Sequence, residues 1–197
     1  FHKWLQVPYD AGFLLVRDST LHQDTFSSPA TYLQREVRGL AAGSPWPCDL
    51  GPDLSRGFKA LKTWFTLQVY GAKKLGKIID GTCELARYLS DRIEATPELE
   101  LLTPVSLNIV CFRYPVSKQQ RANLKIKEEE IHQLNADLVA DVQESGVAAP
   151  STTWIDGQLA IRVAIFNHRT SVEDIDGLLN AIISKGKART HNWCIDY

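Results

Sequence analysis

Apolar and polar positions change period repeatedly along this chain. Ala11 to Arg17 is a short, nearly continuous apolar run at a glycine, the pattern of a buried strand. From Asp18 to about Asp53 the pattern dissolves. Ser27-Ser28-Pro29, Gly39, Gly43-Ser44-Pro45, Pro47 and Gly51-Pro52 break any period there. So long an irregular stretch predicts a functional loop or lid. After Asp53 the period becomes helical: Phe58, Leu61, Phe65 and Val69 share one face, and Gly71 closes the segment. A second helix is predicted from Ala72 to Ala95, with Leu75, Ile78, Ile79, Ala86, Leu89 and Ile93 as its stripe. Both read as core helices.

Pro97 ends that helix, and two strands are predicted, Glu98 to Leu102 and Ser106 to Tyr114. The second is almost entirely apolar, as suits the middle of a sheet. Lys118 to Lys127 is polar and basic. The helix after it, Lys127 to Glu144, carries Ile131, Leu134, Leu138 and Val142 on one face and stops at Gly146. Thr152 to Asp156 and Gln158 to Phe166 alternate as strands, with Asp156-Gly157 as their hairpin turn. Ser171-Val172-Glu173-Asp174 then reads as a helix start, continued by Ile175, Leu178, Leu179 and Ile182. This order predicts an α+β layer with helices packed on an antiparallel sheet.

The composition is that of an ordinary soluble globular chain: 197 residues, 44% hydrophobic and 23% charged, with no methionine. A net charge of -1 offers no concentrated basic field for nucleic acid or an anionic membrane surface. No apolar run approaches the roughly 18–20 residues of a membrane helix. Cys48, Cys83, Cys111 and Cys194 lie far apart without C-x-x-C spacing, which predicts free thiols and a reducing, cytoplasmic location. His22, His132 and His191 have no partners at metal-ligand spacing, so no metal is expected.

The chemistry concentrates near the start. His2-Lys3-Trp4, followed by Val7-Pro8-Tyr9-Asp10 and the apolar run, sets a lysine at the mouth of an apolar strand. Such a lysine suits bonding to an aldehyde cofactor, because fixing and partly desolvating the amine lowers its pKa. Together with the loop holding Tyr32 and with Phe58-Lys59-Ala60-Leu61-Lys62-Thr63-Trp64-Phe65, this stretch resembles the group II pyridoxal-phosphate-dependent amino-acid decarboxylases, of the aromatic-L-amino-acid decarboxylase type.

The resemblance implies an α/β enzyme of fold-type I, aspartate-aminotransferase-like, of which this chain is the C-terminal portion. Residues 1–55 would end the large cofactor-binding domain, and 56–197 would form the small α+β domain. An absent N-terminal portion would carry the acidic partner of the pyridine nitrogen and the ring-stacking residue. The implied cofactor is pyridoxal 5'-phosphate, the implied reaction decarboxylation of an L-amino acid, aromatic by preference, and the implied assembly a homodimer with its site at the interface.

By the same resemblance, Lys3 forms the cofactor imine, and His2 helps to hold the phosphate unless it only packs. Tyr32, in Pro29-Ala30-Thr31-Tyr32-Leu33, corresponds to a tyrosine on a mobile catalytic loop that protonates the α-carbon after carbon dioxide leaves. Family members with phenylalanine there tend to form aldehydes instead. Ser55 and Arg56 fall where the family contacts the phosphate and the substrate side chain. Ser55 reads equally well as a helix N-cap, and Gly57 before Phe58 departs from the commoner Arg-Arg-Phe pattern. His168, in Asn167-His168-Arg169-Thr170, reads as structural. The alternatives are an aldehyde-forming synthase and a non-catalytic scaffold on the same fold.

Overall fold

In a computed structural model, which describes residues 1–27, 32, 34–43 and 45–193, a four-stranded antiparallel sheet organises the later part of the chain. Its strands are β1 (Glu100–Leu101), β2 (Ile109–Arg113), β3 (Ser151–Ile155) and β4 (Gln158–Ala164), in spatial order β1-β2-β4-β3. The β3–β4 hairpin turns at Asp156 and Gly157, both at positive φ (46° and 77°), the geometry that keeps a two-residue turn in step with strand twist. Register then puts Val110 opposite Val163 and Phe112 opposite Ile161, all facing the core.

The helices are α1 (Ser19–Phe26), α2 (Lys59–Glu94), α3 (Lys118–Leu124), α4 (Glu128–Glu144) and α5 (Val172–Trp193). The chain forms two compact units, Phe1–Val69 and Tyr70–Tyr197; the domain boundary expected at residue 55 lies inside the first. α2 is interrupted at Gly71 (φ 69°, ψ 160°), the residue predicted to close the first helix. In the second unit the predicted stripes are buried: Ala86, Leu89 and Ile93 of α2, Ile131, Leu134, Leu138 and Val142 of α4, and Ile175, Leu178, Leu179 and Ile182 of α5. The α5 start is a reciprocal cap, with Asp174 Oδ2 accepting the Ser171 N–H at 2.9 Å and Ser171 Oγ accepting the Asp174 N–H at 3.4 Å.

Several expectations are corrected. Residues 11–17 form no strand, and Phe13, Leu14 and Leu15 are exposed. A strand exists through ladder bonds to a neighbour, and no described segment pairs with this one. The stripe Phe58, Leu61, Phe65 and Val69 is likewise exposed, so the first helix is not a core helix within this unit. The irregular stretch from Asp18 does contain α1, capped by Asp18, whose Oδ1 accepts the Thr20 and Leu21 N–H groups at 2.9 and 3.0 Å. It also contains a 3-10 turn, Pro47–Leu50. The basic segment after Ser117 begins as α3, with Ser117 Oγ accepting the Gln120 N–H at 3.2 Å. The two strands predicted before and after Pro104 shorten to β1 and β2.

Cys111 is buried and Cys48 and Cys83 half-buried, all three free; Cys194 lies outside the described residues, as do Pro29, Ala30, Thr31 and Leu33 around Tyr32. Among the described residues no helix is long and apolar enough to cross a membrane.

Candidate active site near Lys3 and Arg56

Lys3 heads a turn. Its carbonyl accepts the Gln6 N–H at 3.2 Å and Gln6 Nε2 at 3.1 Å, and the Val7 N–H reaches the Phe1 carbonyl at 3.3 Å. The turn leaves the Lys3 side chain exposed and folds residues 1–2 against Ala11. His2 Nδ1 lies 3.1 Å from the Ala11 carbonyl oxygen and 3.4 Å from the Ala11 nitrogen, and the Tyr9 ring meets the imidazole edge-on at 5.0 Å. A neutral His2 that takes the Ala11 N–H at Nδ1 carries its own proton on Nε2, ready to donate to an anion; one that donates from Nδ1 does so from both nitrogens only as imidazolium. Beside Lys3, the Trp4 indole Nε1 is buried with no acceptor among the described residues. A buried donor without a partner is uncommon and invites an explanation.

Asp10 ties this region to the start of α2. Its Oδ2 accepts from Lys59 Nζ at 2.8 Å, and that hydrogen bond holds the Asp10 carboxyl below its ordinary range. The same unit contains a cleft of about 720 Å³ walled by the rings of Phe1, Phe13, Phe58 and Trp64, with Arg56 and Asp53 among its polar groups. Arg56 Nη1 lies beside Gly51, 3.4 Å from where a Cβ there would stand, an ordinary van der Waals separation. Arg56 makes no ion pair among the described residues. A cleft with an aromatic lining and an available cation suits a flat, anionic guest.

The predicted residues are therefore only partly assembled. Arg56 lines the cleft, while Lys3, His2, Tyr32 and Ser55 do not. Tyr32 is exposed. Ser55 is not an N-cap, because α2 begins at Lys59, beyond the reach of its side chain. In the same unit, Arg35 pairs with Asp49, stacks 3.6 Å above the Trp46 ring, and so braces the 3-10 turn. The backbone N–H of Trp46, followed by that guanidinium, holds the Asp49 carboxyl down. His168 lies in a turn built by Asn167, whose Oδ1 accepts the Arg169 N–H at 3.0 Å, in keeping with a structural reading.

Sequence reasoning missed two arginines in the second unit. Arg113 is buried and bonded to Glu100 at 2.6 Å and Glu128 at 2.8 Å. Arg162 is half-buried in β4 on the face opposite Ile161 and Val163, across from Cys111 and Ser151, with no ion pair among the described residues. Its one visible signal is a cation interrupting the apolar run Ala160-Ile161-Arg162-Val163-Ala164.

Residues 1–115 match the pyridoxal-dependent decarboxylase conserved domain, and the chain belongs to that family. Its cofactor is pyridoxal 5'-phosphate. An aromatic-L-amino-acid decarboxylase of Bacillus atrophaeus is 31% identical over 196 residues, covering all of this chain and 38% of that protein. A histidine decarboxylase of Drosophila melanogaster is 34% identical over 174 residues, 88% of this chain and 18% of that protein. A phenylacetaldehyde synthase of Petunia hybrida is 25% identical over 181 residues, 92% of this chain and 36% of that protein.

The fold is that of fold-type I enzymes. The structure of mouse CSAD superposes with a TM-score of 0.70 at 22% identity, over 86% of this chain and 35% of that one. That of Oryza sativa TDC with PLP and tryptamine does so at 0.65 and 22% identity, over 72% of this chain and 29% of that one. The chain thus spans between 18% and 38% of the length of these relatives.

The residues present fit the cofactor. The fit is one of chemistry: an exposed amine, an imidazole, a guanidinium without an ion pair among the described residues and a Trp4 N–H without an acceptor among them are donors or nucleophiles of the kinds that an aldehyde bearing a phosphate requires, though only Arg56 of these lines the cleft.

Proposed function

We propose that this chain is the C-terminal portion of a pyridoxal-phosphate-dependent decarboxylase that converts an L-amino acid, aromatic by preference, to its amine and carbon dioxide. Residues 1–55 then close the large cofactor domain and 56–197 supply the small domain. The observation that carries the reading is that Lys3, in its His-Lys-Trp context, lies inside the segment that matches the family; its amine is exposed on a turn rather than enclosed at the mouth of a strand, because residues 11–17 form none.

When bound, the cofactor supplies an electron sink for the pair released as carbon dioxide departs. The chain's own residues divide the remaining work. Lys3 would be the residue that holds the cofactor through its aldehyde. His2 would donate from Nε2 to the phosphate, with the Arg56 guanidinium as a cation for phosphate or substrate and Ser55 as a further hydroxyl. Tyr32 delivers a proton to the α-carbon from its phenol. An exposed tyrosine is useful to that end only once a substrate covers it, which agrees with a homodimer whose loop serves the neighbouring site. We propose a cytoplasmic location on the three cysteines that are free among the described residues, Cys48, Cys83 and Cys111.

The Petunia relative supports aldehyde formation as a second reading, and Tyr32 weighs against it. The test is product analysis with a panel of amino acids on the whole enzyme. Amine released in step with carbon dioxide, abolished in Lys3→Ala, is the expected result. Aldehyde with ammonia from the unaltered protein would establish the second reading, and no turnover of any amino acid would remove both.

A further inference from the structure

A second cleft, of about 490 Å³, opens within the second unit between the end of β4, the start of α5 and the segment leading into β3. Its volume falls in the range of small-molecule sites. The floor is aliphatic: Ile165, Ile175 and Leu178, each 3% exposed, are fixed by the core and cannot turn away. Phe166, 41% exposed, stands at the mouth. Two residues of opposite charge, Arg169 and Asp174, both exposed, are among its lining. Arg169 forms no ion pair among the described residues; its backbone N–H is held by Asn167 Oδ1 at 3.0 Å, which fixes where the side chain departs. Asp174 spends Oδ2 on the Ser171 N–H, and no bond to its Oδ1 accompanies that contact.

A monopolar guest meets one favourable charge here and one repulsive one. A zwitterion meets two favourable ones, and its apolar side chain has the aliphatic floor. We infer that this cleft is a second binding site for a free amino acid with an apolar side chain. Its carboxylate would face Arg169, its ammonium Asp174, and its side chain Ile165, Ile175 and Leu178. The site uses none of the residues around Lys3, so it stands or falls apart from the decarboxylase reading.

The test is hydrogen exchange on the full chain without cofactor, titrated with L-phenylalanine and, in parallel, with phenethylamine and 3-phenylpropionate. Protection of the backbone of residues 163–178 by phenylalanine is expected, with either truncated compound at least about tenfold weaker, since each loses a charge-assisted contact. Arg169→Ala should weaken phenylalanine by a similar factor and Arg169→Lys should restore part of it. Three results overturn the inference: no protection at millimolar phenylalanine, equal protection by all three compounds, or protection that follows protein concentration and so reports a second copy in the cleft.

Discussion

Asn135 completes a strand that has run out of neighbours. Fully buried on α4, its Oδ1 accepts the Tyr114 N–H at 2.8 Å, and its Nδ2 donates to the Tyr114 carbonyl at 3.1 Å and the Ile131 carbonyl at 2.9 Å. One side-chain amide thus satisfies both backbone groups just past the end of β2. Asn135→Leu leaves those groups buried and unpaired, and should lower unfolding free energy by about 3 kcal/mol, as measured by urea denaturation. Asn135→Asp should also destabilise, because the carboxylate cannot donate to the two carbonyls.

Tyr114 is pinned from a second direction. A Cβ built on Gly186 of α5 would stand 2.3 Å from Tyr114 Cε2, closer than any contact a side chain tolerates. Gly186→Ala should therefore destabilise by about 2–3 kcal/mol despite the better helix propensity of alanine. A gain in melting temperature would contradict the packing of α5 on this strand.

The interruption of α2 makes a backbone prediction. Gly71 lies at φ 69° and ψ 160°, a region open essentially to glycine alone. Gly71→Ala should cost about 1–3 kcal/mol, against the small gain expected at an ordinary helical position. Thermal melts of Gly71→Ala and of Gly76→Ala, a glycine without positive φ, separate the two effects.

Acid should loosen the second unit before alkali does. Arg189 grips Asp141 through two bonds, Nε to Oδ2 at 2.7 Å and Nη2 to Oδ1 at 2.9 Å, and holds its carboxyl below the usual 3.8. Burial pushes Glu128 up, but hydrogen bonds from Arg121 and Arg113 outweigh it and leave the group below its usual 4.5. Folded-state values lower than unfolded ones add stability above the unfolded values and lose it as pH falls through the folded ones. Melting temperature should thus decline below about pH 4.5, and the decline should be shallower in Arg189→Ala. The pair is partly exposed, so that variant should cost only about 1 kcal/mol at pH 7.

The sequence displayed those parts whose partners lie nearby in this chain. The α4 stripe, the Asp156-Gly157 hairpin and the Ser171 cap are local signals answered by local structure, and the sheet followed from them. Residues 11–17 and the stripe from Phe58 to Val69 carry equally good signals, yet no described segment pairs with or covers them, and both remain exposed. The opposite failure is α1 and α3, helices with weak apolar periodicity started by Asp18 and by Ser117 with Gln120, whose capping signals are brief beside the polar stretches around them. At the site, the His2-Lys3-Trp4 triplet stood out through its resemblance to the family, whereas the Arg56 cleft and the Arg113 and Arg162 positions depend on contacts between distant residues.

Tyr32 offers a direct probe of the proposed proton delivery. Tyr32→Phe should retain cofactor binding at Lys3 but shift product from amine toward aldehyde, by tenfold or more in ratio, as chromatographic product analysis would show. An unchanged ratio would assign that proton to another group.

The central claim rests on Lys3 and is tested most directly by reducing the whole enzyme, loaded with pyridoxal phosphate, with borohydride and sequencing the peptides by mass spectrometry. A pyridoxyl-phosphate adduct on Lys3, together with loss of the visible absorption band, is the predicted result. An unmodified Lys3 in folded, cofactor-exposed protein, or an adduct on another lysine, would contradict the account.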